Sequence, residues 1–418
     1  MNTSNAAGDL EQLAERLAEL AAKIEDELIT IRRDLHAHPE LGRQEFRTTT
    51  VIHDRLAAAG LTPRVLAGGS GVVCDIGSSA PGVRTVALRA DIDALPIDDE
   101  KQTTAYRSTV PGVCHACGHD VHTAVLIGVG VVLAELESQG ENYLGGRVRL
   151  IFQPAEEAMP GGALDVIEAG GLDGVDRIVA LHCDPRQEVG TVGVRIGAIT
   201  GSSDHVRVVL GSDGGHTARP HLTGDLVYAL AKIVTDVPSI LSRRVDPRAG
   251  LSVVWGSVRA GGPANAIPQN GEIAGTVRSL DARVWENAED VVTQAVSDVA
   301  LAYGVAVTVD YTRGVPPVIN DAASVRLIES VSRAVLGDGA VETVEQSLGG
   351  EDFAWYLAHV PGALFRLGVR SPQSHDSPSS NDGGDLHQGT FDVDERAIDI
   401  GVRLLAAAAL QDLAQSRG

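Results

Sequence analysis

The chain has 418 residues, 44% of them hydrophobic, which is enough for two domains with full cores. It carries 34 basic and 56 acidic side chains, and the resulting formal net charge of −22 works against binding to the phosphate backbone of nucleic acids. We therefore expect no nucleic-acid partner.

The N-terminal sequence predicts a charged amphipathic helix over residues 12–38, without the basic and apolar regions of a secretion signal. No later segment has the roughly 18 uninterrupted apolar residues of a membrane span. Four cysteines are too few for a disulfide scaffold in a chain of this length: Cys74, Cys114, Cys117 and Cys183. These features predict a soluble, cytoplasmic protein without membrane contact.

The first part of the chain alternates strand and helix. Strands are predicted near 71–77 and in three hydrophobic runs, 85–91, 148–157 and 177–184, with a helix over 123–138 between the first and second of these runs. Such alternation predicts an α/β domain with a mixed, largely parallel sheet flanked by helices.

The pattern then changes to that of a small inserted domain. The predicted order is strand, helix, strand, strand, helix and strand, at residues 204–212, 220–237, 250–262, 270–281, 282–304 and 305–312. This βαββαβ order is the split unit of a ferredoxin-like sandwich. The chain then returns to helix and strand, with a helix at 324–337, a strand at 363–369, a Ser/Asp/Gly-rich loop at 371–385 and a last helix from 393. We predict a catalytic domain in two parts, 1–197 and 313–418, and an inserted domain, 198–312.

Residues that can bind metal end three of the predicted strands. The pairs are Asp91 and Asp93, Glu156 and Glu157, and His182 and Asp184. A fourth cluster, HACGHDVHT at 115–123, precedes an apolar helical run. Ligands of open α/β sheets bind at the carboxyl ends of the strands, so these side chains should converge in one pocket. The sequence therefore predicts a metalloenzyme.

Cys117 and His119 lie two residues apart before a helix, where a thiolate is favoured and both atoms can face a metal. A buried free cysteine beside a helix-capping histidine explains the same pattern equally well. Of the adjacent Glu156 and Glu157, one can bind metal while the other acts as general base. A doubled glutamate is also common on solvated faces, although this pair follows an apolar strand.

Four further residues support a metal site only when they are considered together with the other clusters. His182 alone would suit a core histidine with a satisfied hydrogen bond, and His387 would be unremarkable without a site that needs another nitrogen donor. Asp91 and Asp93 alternate on an extended segment, so we expect only one to face the pocket directly, with a hydrogen bond to a ligating imidazole as its natural role. The alternative is that Asp91 and Asp93 are simply polar residues at the end of a strand, with no role in a site.

Polar residues of the inserted domain are candidates for substrate binding. His216 follows two glycines that allow close backbone approach, although a hairpin turn accounts for those glycines too. Asn265 and Arg278 are the groups we would choose to hold a substrate carboxylate, since arginine offers a bidentate fork.

Nine segments in the same order resemble the M20 metallopeptidase family, and specifically its aminoacylase, hippurate hydrolase and auxin-conjugate amidohydrolase branch. They run almost end to end: RRDLHAHPELGRQE, ALRADIDALPI, HACGHDVHT, IFQPAEE, ALHCDP, GGHTARPH, NAIPQNGEIAGTVRSLD, GGEDFAWY and LHQGTFDVDE. The resemblance implies a zinc-exopeptidase-like catalytic domain and hydrolysis of N-acyl amino acids or related conjugates. Deacylation of N-acyl-diaminopimelate and cleavage of dipeptides are alternatives within the family, and a catalytically silent metal-binding homodimer is the alternative outside enzymes.

The resemblance also implies two divalent transition-metal ions per subunit, Zn, Mn, Co or Ni, with one ligand shared between them. The implied ligands are Cys117, in the shared position, His119, Glu157, His182 and His387. Glu156 corresponds to the general base. The implied supporting carboxylates are Asp91, Asp93 and Asp120.

The inserted domain of the family is a lid that also forms the interface of a homodimer. Its histidine, here His216, is implied to reach the partner's active site and stabilise the oxyanion. Asn265 and Arg278 match lid positions that bind the amino-acid part of the substrate. Cys114 and Cys183 depart from the usual methionine and valine, and predict two further thiols near the site.

Overall fold

The computed structural model of the protein describes residues 3–140, 143–372 and 384–415. Its contacts divide the chain into two compact units. The first unit consists of Met1–Gly197, Asn320–Glu345 and Trp355–Gly418. The second consists of Ala198–Ile319 and Gln346–Ala354. The boundary predicted after residue 312 falls inside a strand that runs on to Val315.

The first unit alternates strands and helices, as the hydrophobic runs predict. Its strands are β1 (Arg64–Val65), β2 (Val72–Gly77), β3 (Thr85–Asp91), β4 (Arg147–Gln153), β5 (Arg177–Glu188) and β6 (Val192–Val194), joined later in the chain by β15 (Val341–Thr343) and β16 (Gly362–Arg370). Its helices are α1 (Thr3–Ala22), α2 (Glu25–Ala37), α3 (Phe46–Ala58), α4 (His119–Glu137), α5 (Ala163–Glu168), α9 (Ala322–Leu336) and α11 (Arg396–Gln415).

These strands form one eight-stranded sheet in the order β1-β2-β4-β3-β5-β16-β6-β15. The four central strands, β4, β3, β5 and β16, are parallel, and β2 and β1 continue the sheet antiparallel at one edge. All seven residues of β3 are buried, which is typical of a parallel strand covered on both faces. The predicted mixed, largely parallel sheet flanked by helices is confirmed.

Helix α4 lies in the core of this unit. Within the described residues it is the one helix long and apolar enough to cross a membrane, and 83% of its apolar window is buried inside the protein. Gly128 and Gly130 allow the close packing, because a Cβ at either position would lie 2.6 Å from a side chain of α2, α3 or α11. Burial against these helices identifies α4 as a core helix.

The second unit has its own antiparallel sheet. Its main elements in chain order are β8 (Ser203–Gly211), α6 (Leu226–Arg244), β10 (Ser252–Ala260), β12 (Asn270–Arg278), α8 (Ala288–Ala302) and β13 (Ala306–Val315). The sheet order β10-β12-β8-β13 is that of a ferredoxin-like βαββαβ unit, so this prediction is also confirmed. Shorter elements complete the chain: β7 (Gly197–Ala198), β9 (Gly215–His216), β11 (Ala266–Ile267), α7 (Ala282–Glu286), β14 (Ile319–Asn320) and α10 (Ala354–Leu357).

Three predicted helices have different bounds in the structure. The helix predicted over 12–38 is two helices, and the acidic first turn Glu25–Glu27 favours a new N-terminus after the turn at residues 23–24. Helix α6 passes through Pro238 to Arg244 instead of ending at 237, because Leu241 beyond the proline is still buried in the core. The predicted helix over 282–304 is divided into α7 and α8 at Asn287.

Strand β5 does not end at His182 or Asp184 as predicted, but continues to Glu188. Its pairing with β3 stops at Ala180, opposite Arg89. Beyond that point β3 continues to Asp91 beside β4, and His182 pairs with Arg366 of β16. Most of the predicted loop 371–385 lies outside the described residues.

Candidate metal centre

The turn before α4 places Cys117 and His119 together. Gly118 lies between them with a left-handed φ of +86°, and a Cβ at this position would meet the side chain of Cys183 at 2.9 Å. Glycine is needed here both for the backbone angle and for the close approach. His119 is the first residue of α4.

All five predicted metal ligands converge in the first unit. One group of donor atoms, all within 4.8 Å of one another, comes from Cys117, His119 and His182. A second group, within the same limit, comes from Cys117, Glu157 and His387. The Cys117 sulfur lies 3.5 Å from Nε2 of His182, and Nε2 of His387 lies 3.1 Å from Oε1 of Glu157. Because Cys117 belongs to both groups, its sulfur would be the ligand that two cations share.

Hydrogen bonds fix the orientation of two of the imidazoles. Nδ1 of His119 lies 2.9 Å from the carbonyl oxygen of Asp93, and Nδ1 of His182 lies 2.8 Å from that of Cys183. A carbonyl can only accept, so each Nδ1 carries a proton and Nε2 is the ring atom left to face the other donors. Both Nε2 atoms can therefore bind a metal once they carry no proton.

Asp91 contacts a further histidine, His122, that the sequence reasoning did not single out. Nδ1 of His122 donates to Asp91 at 2.6 Å, because its Nε2 already accepts from the backbone N–H of Cys183 at 2.9 Å. Arg89, also buried, donates to the other Asp91 oxygen at 2.7 Å. The spacing could have revealed His122, since it lies three residues after His119 on the same face of α4.

Asp93 and Asp120 support the site in different ways. Asp93 accepts from the backbone N–H of Glu157 at 3.0 Å, in addition to its contact with His119. Contrary to expectation, both Asp91 and Asp93 contact the pocket, because β3 ends at Asp91 and the alternation of an extended strand ends there. The carboxylate of Asp120 faces away from the ligands and accepts from Arg32 and His36.

The electrostatics of the metal-free site favour protons where a cation would bind. Burial raises the pKa of the Cys117 thiol, and the charge of Glu157 adds to this. Hydrogen bonds to Cys117 and Glu157 raise the pKa of His387 to about 10. Burial holds the pKa of His182 well below its usual value, so this imidazole is already neutral. Burial lowers the pKa of His119, but the charges of Asp91 and Cys117 outweigh this and hold it well above its usual value. Metal binding must therefore displace protons from Cys117, His119 and His387.

Glu156 lies on a sharp turn after β4. The turn depends on Ala155, which is buried and has a left-handed φ of +56°. A carboxylate oxygen of Glu156 lies within 4.8 Å of donor atoms of His119 and Glu157. Glu156 is therefore close enough to the donor groups to exchange a proton with a ligand bound among them.

The predicted lid residues lie in the second unit, in two places. His216 in β9 pairs with Ala266, and the carbonyl of Asn265 accepts from the N–H of the residue after His216, so these two are neighbours and both are exposed. Arg278 ends β12, and its guanidinium donates to the backbone carbonyl of Leu348. The eight residue steps of β12 span about 27 Å, so Arg278 lies at the far end of the strand from Asn265.

The donor set fits transition-metal cations. Nε2 of His119 is a buried atom without a hydrogen-bond partner among the described residues, although buried polar atoms are normally paired. One thiolate, three imidazoles and one carboxylate suit Zn, Co, Ni or Mn better than Mg or Ca. A cation between Cys117, His119 and His182 would satisfy the orphaned nitrogen.

Comparison with known proteins agrees with this geometry. The model of peptidase family M20/M25/M40 matches residues 87–411. A relative from Rhodococcus jostii, carried under the provisional name glutamate–cysteine ligase 2-3, is 48% identical over 92% of this chain, which spans only 46% of that relative's length. N-acetyl-L-cysteine deacetylase from Bacillus subtilis is 38% identical over 90% of this chain and 85% of its own.

Two solved structures have the same fold. One is a provisionally named aminohydrolase from methicillin-resistant Staphylococcus aureus, 31% identical, with a TM-score of 0.85 over 96% of this chain and 99% of that chain. The other is a dinuclear metal-binding peptidase of the M20 family from Bacillus subtilis, also 31% identical, with a TM-score of 0.79 over 94% of this chain and 99% of that chain. The family match, the shared fold and the convergent ligands lead to one conclusion: this chain belongs to peptidase family M20/M25/M40.

Proposed function

We propose that this protein is a metal-dependent amidohydrolase that cleaves N-acyl amino acids or related N-acylated conjugates to a carboxylic acid and an amino acid. The observation that carries this proposal is the sharing of Cys117 between two donor groups, with Glu156 beside them. A protein that only binds metal needs the ligands but has no use for Glu156 in that place. The similarity to a protein named N-acetyl-L-cysteine deacetylase supports the substrate class.

The residues divide the chemistry between them. Two cations held by Cys117, His119, Glu157, His182 and His387 would lower the pKa of water and stabilise negative charge on the amide oxygen. Glu156 accepts a proton from the attacking water and delivers it to the nitrogen of the departing amino acid. Asp93 contacts the His119 ring and the Glu157 backbone, and so fixes the distance between these two ligands.

Adjacent substitutions test this division. Glu156→Gln should lower kcat by about 100-fold to 10,000-fold while both metal ions remain bound, because only the general base is lost. Glu157→Gln, the matched control one residue away, should reduce the metal content. Equal activity of Glu156→Gln and the wild type would refute the mechanism.

A substrate panel separates the alternatives. N-acetyl, N-benzoyl and long-chain acyl amino acids, N-acyl-diaminopimelate and dipeptides should each be assayed with the metal-loaded protein. Preference for N-acyl-diaminopimelate or for dipeptides would favour those activities of the same family. Failure to turn over any of them would favour a catalytically silent metal-binding homodimer.

The proposed cofactor is a pair of transition-metal ions, Zn, Mn, Co or Ni. The support for this choice is the softness of the Cys117 thiolate and of the imidazoles, which disfavours Mg. Stripping the protein with a chelator should abolish hydrolysis, and one of these four metals should restore it. Activity that persists in fully stripped protein would refute a metal mechanism.

We also propose that the protein acts as a homodimer through its second unit. His216 and Asn265 lie near one end of β12 and Arg278 at the other, so a single lid cannot easily bring all three to one substrate. Two chains could each supply one end to a different site. The mass of the protein in solution, measured with and without substitution of His216, tests this proposal.

A cytoplasmic location completes the proposal. The four cysteines are free in the structure, and the site needs Cys117 as a reduced thiolate. The cytosol keeps thiols reduced, whereas oxidising compartments do not. Cell fractionation would test this directly.

A further inference from the structure

Glu45 is a fully buried carboxylate that the sequence reasoning did not assign to any role. It is 0% exposed and lies immediately before α3. One oxygen accepts from the Ser70 hydroxyl at 2.5 Å, and the other accepts from the backbone N–H of Ala155 at 2.7 Å. A buried carboxylate is costly unless both oxygens are satisfied, so this arrangement requires a reason.

Capping of α3 does not supply that reason. The free backbone N–H groups of Arg47 and Thr48, in the first turn of α3, donate to the carboxylate of Glu40 at 3.0 and 2.8 Å. The side chain of Glu45 makes no capping hydrogen bond. Its carboxylate is instead directed across the unit to the turn that follows β4.

That turn carries both Glu156 and Glu157. Its first residue, Ala155, has a left-handed φ of +56°, which non-glycine residues avoid because Cβ crowds the backbone. The turn is held at two backbone amides: Ala155 N–H donates to Glu45, and Glu157 N–H donates to Asp93. A Cβ at Gly42 would lie 3.1 Å from Cα of Ala155, so the Glu45 segment also packs directly on the turn.

We propose that Glu45 is a positioning residue, which holds Ala155 in its left-handed conformation and thereby places Glu156 and Glu157 at the metal centre. Asp93 fixes the far side of the turn, after Glu156, and the Gly162 N–H donates to the carbonyl of Ala155 at 2.9 Å, but it is Glu45 that binds the Ala155 N–H. Without the hydrogen bond to Glu45, Ala155 relaxes to an ordinary backbone angle, and the two carboxylates rotate away from the ligands. The part of this assignment that concerns Glu156 rests on the proposed function.

Glu45→Ala tests the proposal against matched variants. It should lower kcat by about 100-fold, since displacement of catalytic groups by about 1 Å costs that much. It should also weaken the binding of one of two cobalt ions, measured by equilibrium dialysis, because Glu157 shares the turn. Glu45→Gln keeps an acceptor for Ala155, so it should retain most of both properties.

Two further variants separate positioning from general damage. Thr49→Val removes another buried acceptor on α3, one that serves the backbone of Gly71, and should leave kcat unchanged. Ala155→Gly should restore part of the activity and cobalt binding of Glu45→Ala, because glycine adopts positive φ without steric cost. If Thr49→Val is as damaging as Glu45→Ala, or if Ala155→Gly restores nothing, the proposal is wrong.

Hydrogen exchange provides a readout independent of activity. The peptide containing Ala155 should exchange faster in Glu45→Ala, while peptides of α4 keep their protection. If Glu45→Ala does not fold, Glu45→Asp replaces it, because the shorter side chain withdraws the acceptor but keeps the charge. Wild-type protein that hydrolyses no N-acyl amino acid would refute the proposed function alone, whereas unchanged exchange and cobalt binding in the variant would refute the role of Glu45.

Discussion

Arg32 should be among the residues on which the stability of the first unit depends most. Its side chain is 0% exposed, and it donates to Asp120 at 2.8 Å, to Asp392 at 3.0 Å and to Glu395 at 3.2 Å. These carboxylates come from α4 and from the segment just before the last helix. Arg32 thus joins α2 to two distant parts of the chain.

The cost of Arg32→Met follows from the exposure of the three partners. Asp120 is 1% exposed, so the loss of the Arg32 cation leaves a buried charge that still accepts from His36 but has lost its arginine, at a cost of about 3–5 kcal/mol. Asp392 and Glu395 are 27% and 16% exposed, and water recovers most of their interaction, so each adds less than about 1 kcal/mol. We expect a total loss of about 3–7 kcal/mol, since the methionine preserves most of the packing.

Arg33 is a matched control within the same helix. It pairs with the same Glu395, at 2.5 Å, but its side chain is 50% exposed. Arg33→Met should therefore cost no more than about 1 kcal/mol. Urea unfolding followed by circular dichroism gives the free energies, and hydrogen exchange of α2 and α4 peptides assigns the change to the first unit. A loss below about 1 kcal/mol for Arg32→Met, or equal losses for both variants, would refute this reasoning.

Three further predictions concern protons and backbone geometry. Burial raises the pKa of Cys117, and hydrogen bonds to Cys117 and Glu157 raise that of His387 to about 10, so metal binding should release at least one proton. The affinity for zinc should then rise at least about tenfold per pH unit between about pH 6 and 8. Calorimetry in two buffers measures the release, and a pH-independent affinity would contradict it. Burial raises the pKa of Asp99, but hydrogen bonds from an imidazole and two backbone amides lower it below its usual value, so its contribution to stability is present above about pH 4 and is lost as the pH falls further. Asp99→Asn should be less stable than the wild type at about pH 7 and should lose less stability on acidification from about pH 5 to 3. Parallel curves of stability against pH for the two proteins would count against this. Gly118→Ala should lower the free energy of unfolding by at least about 2 kcal/mol, since it adds a clash at 2.9 Å to an unfavourable φ. The control Gly82→Ala, with a similar φ and nothing within 4 Å of the added Cβ, should lower it by only about 1 kcal/mol. Equal losses of stability in thermal unfolding would show that the clash is relieved.

Hydrophobic periodicity was sufficient to predict the layers of this fold. The run 85–91 is buried along its whole length, and so are residues 148–153 of the predicted strand 148–157, which ends at Gln153 in the structure. Such burial is typical of central parallel strands. Helix bounds were less secure, because packing decides where a helix stops. Leu241 is buried, so α6 continues past Pro238 although proline disfavours a helix interior.

The residue types of the candidate site were visible in the sequence, because cysteine, histidine and paired glutamates are unusual at the ends of apolar strands. The grouping of these residues into ligand sets was implied by the family resemblance, and the residue types alone did not show it. Cys117 and His387 are 270 residues apart, and only the folded chain places both within 4.8 Å of Glu157.

What the sequence by itself determined is the order of layers and the list of donor side chains, since both follow from local patterns of polarity. Only the tertiary structure decided which groups satisfy the backbone. Glu45 is an ordinary glutamate in its own segment, and its role arises because a buried N–H at Ala155, 110 residues later, has to find an acceptor. Likewise, β3 ends at Asp91, and only the folded chain shows that Asp91 and Asp93 both contact His119, because the alternation of an extended strand no longer applies beyond that point.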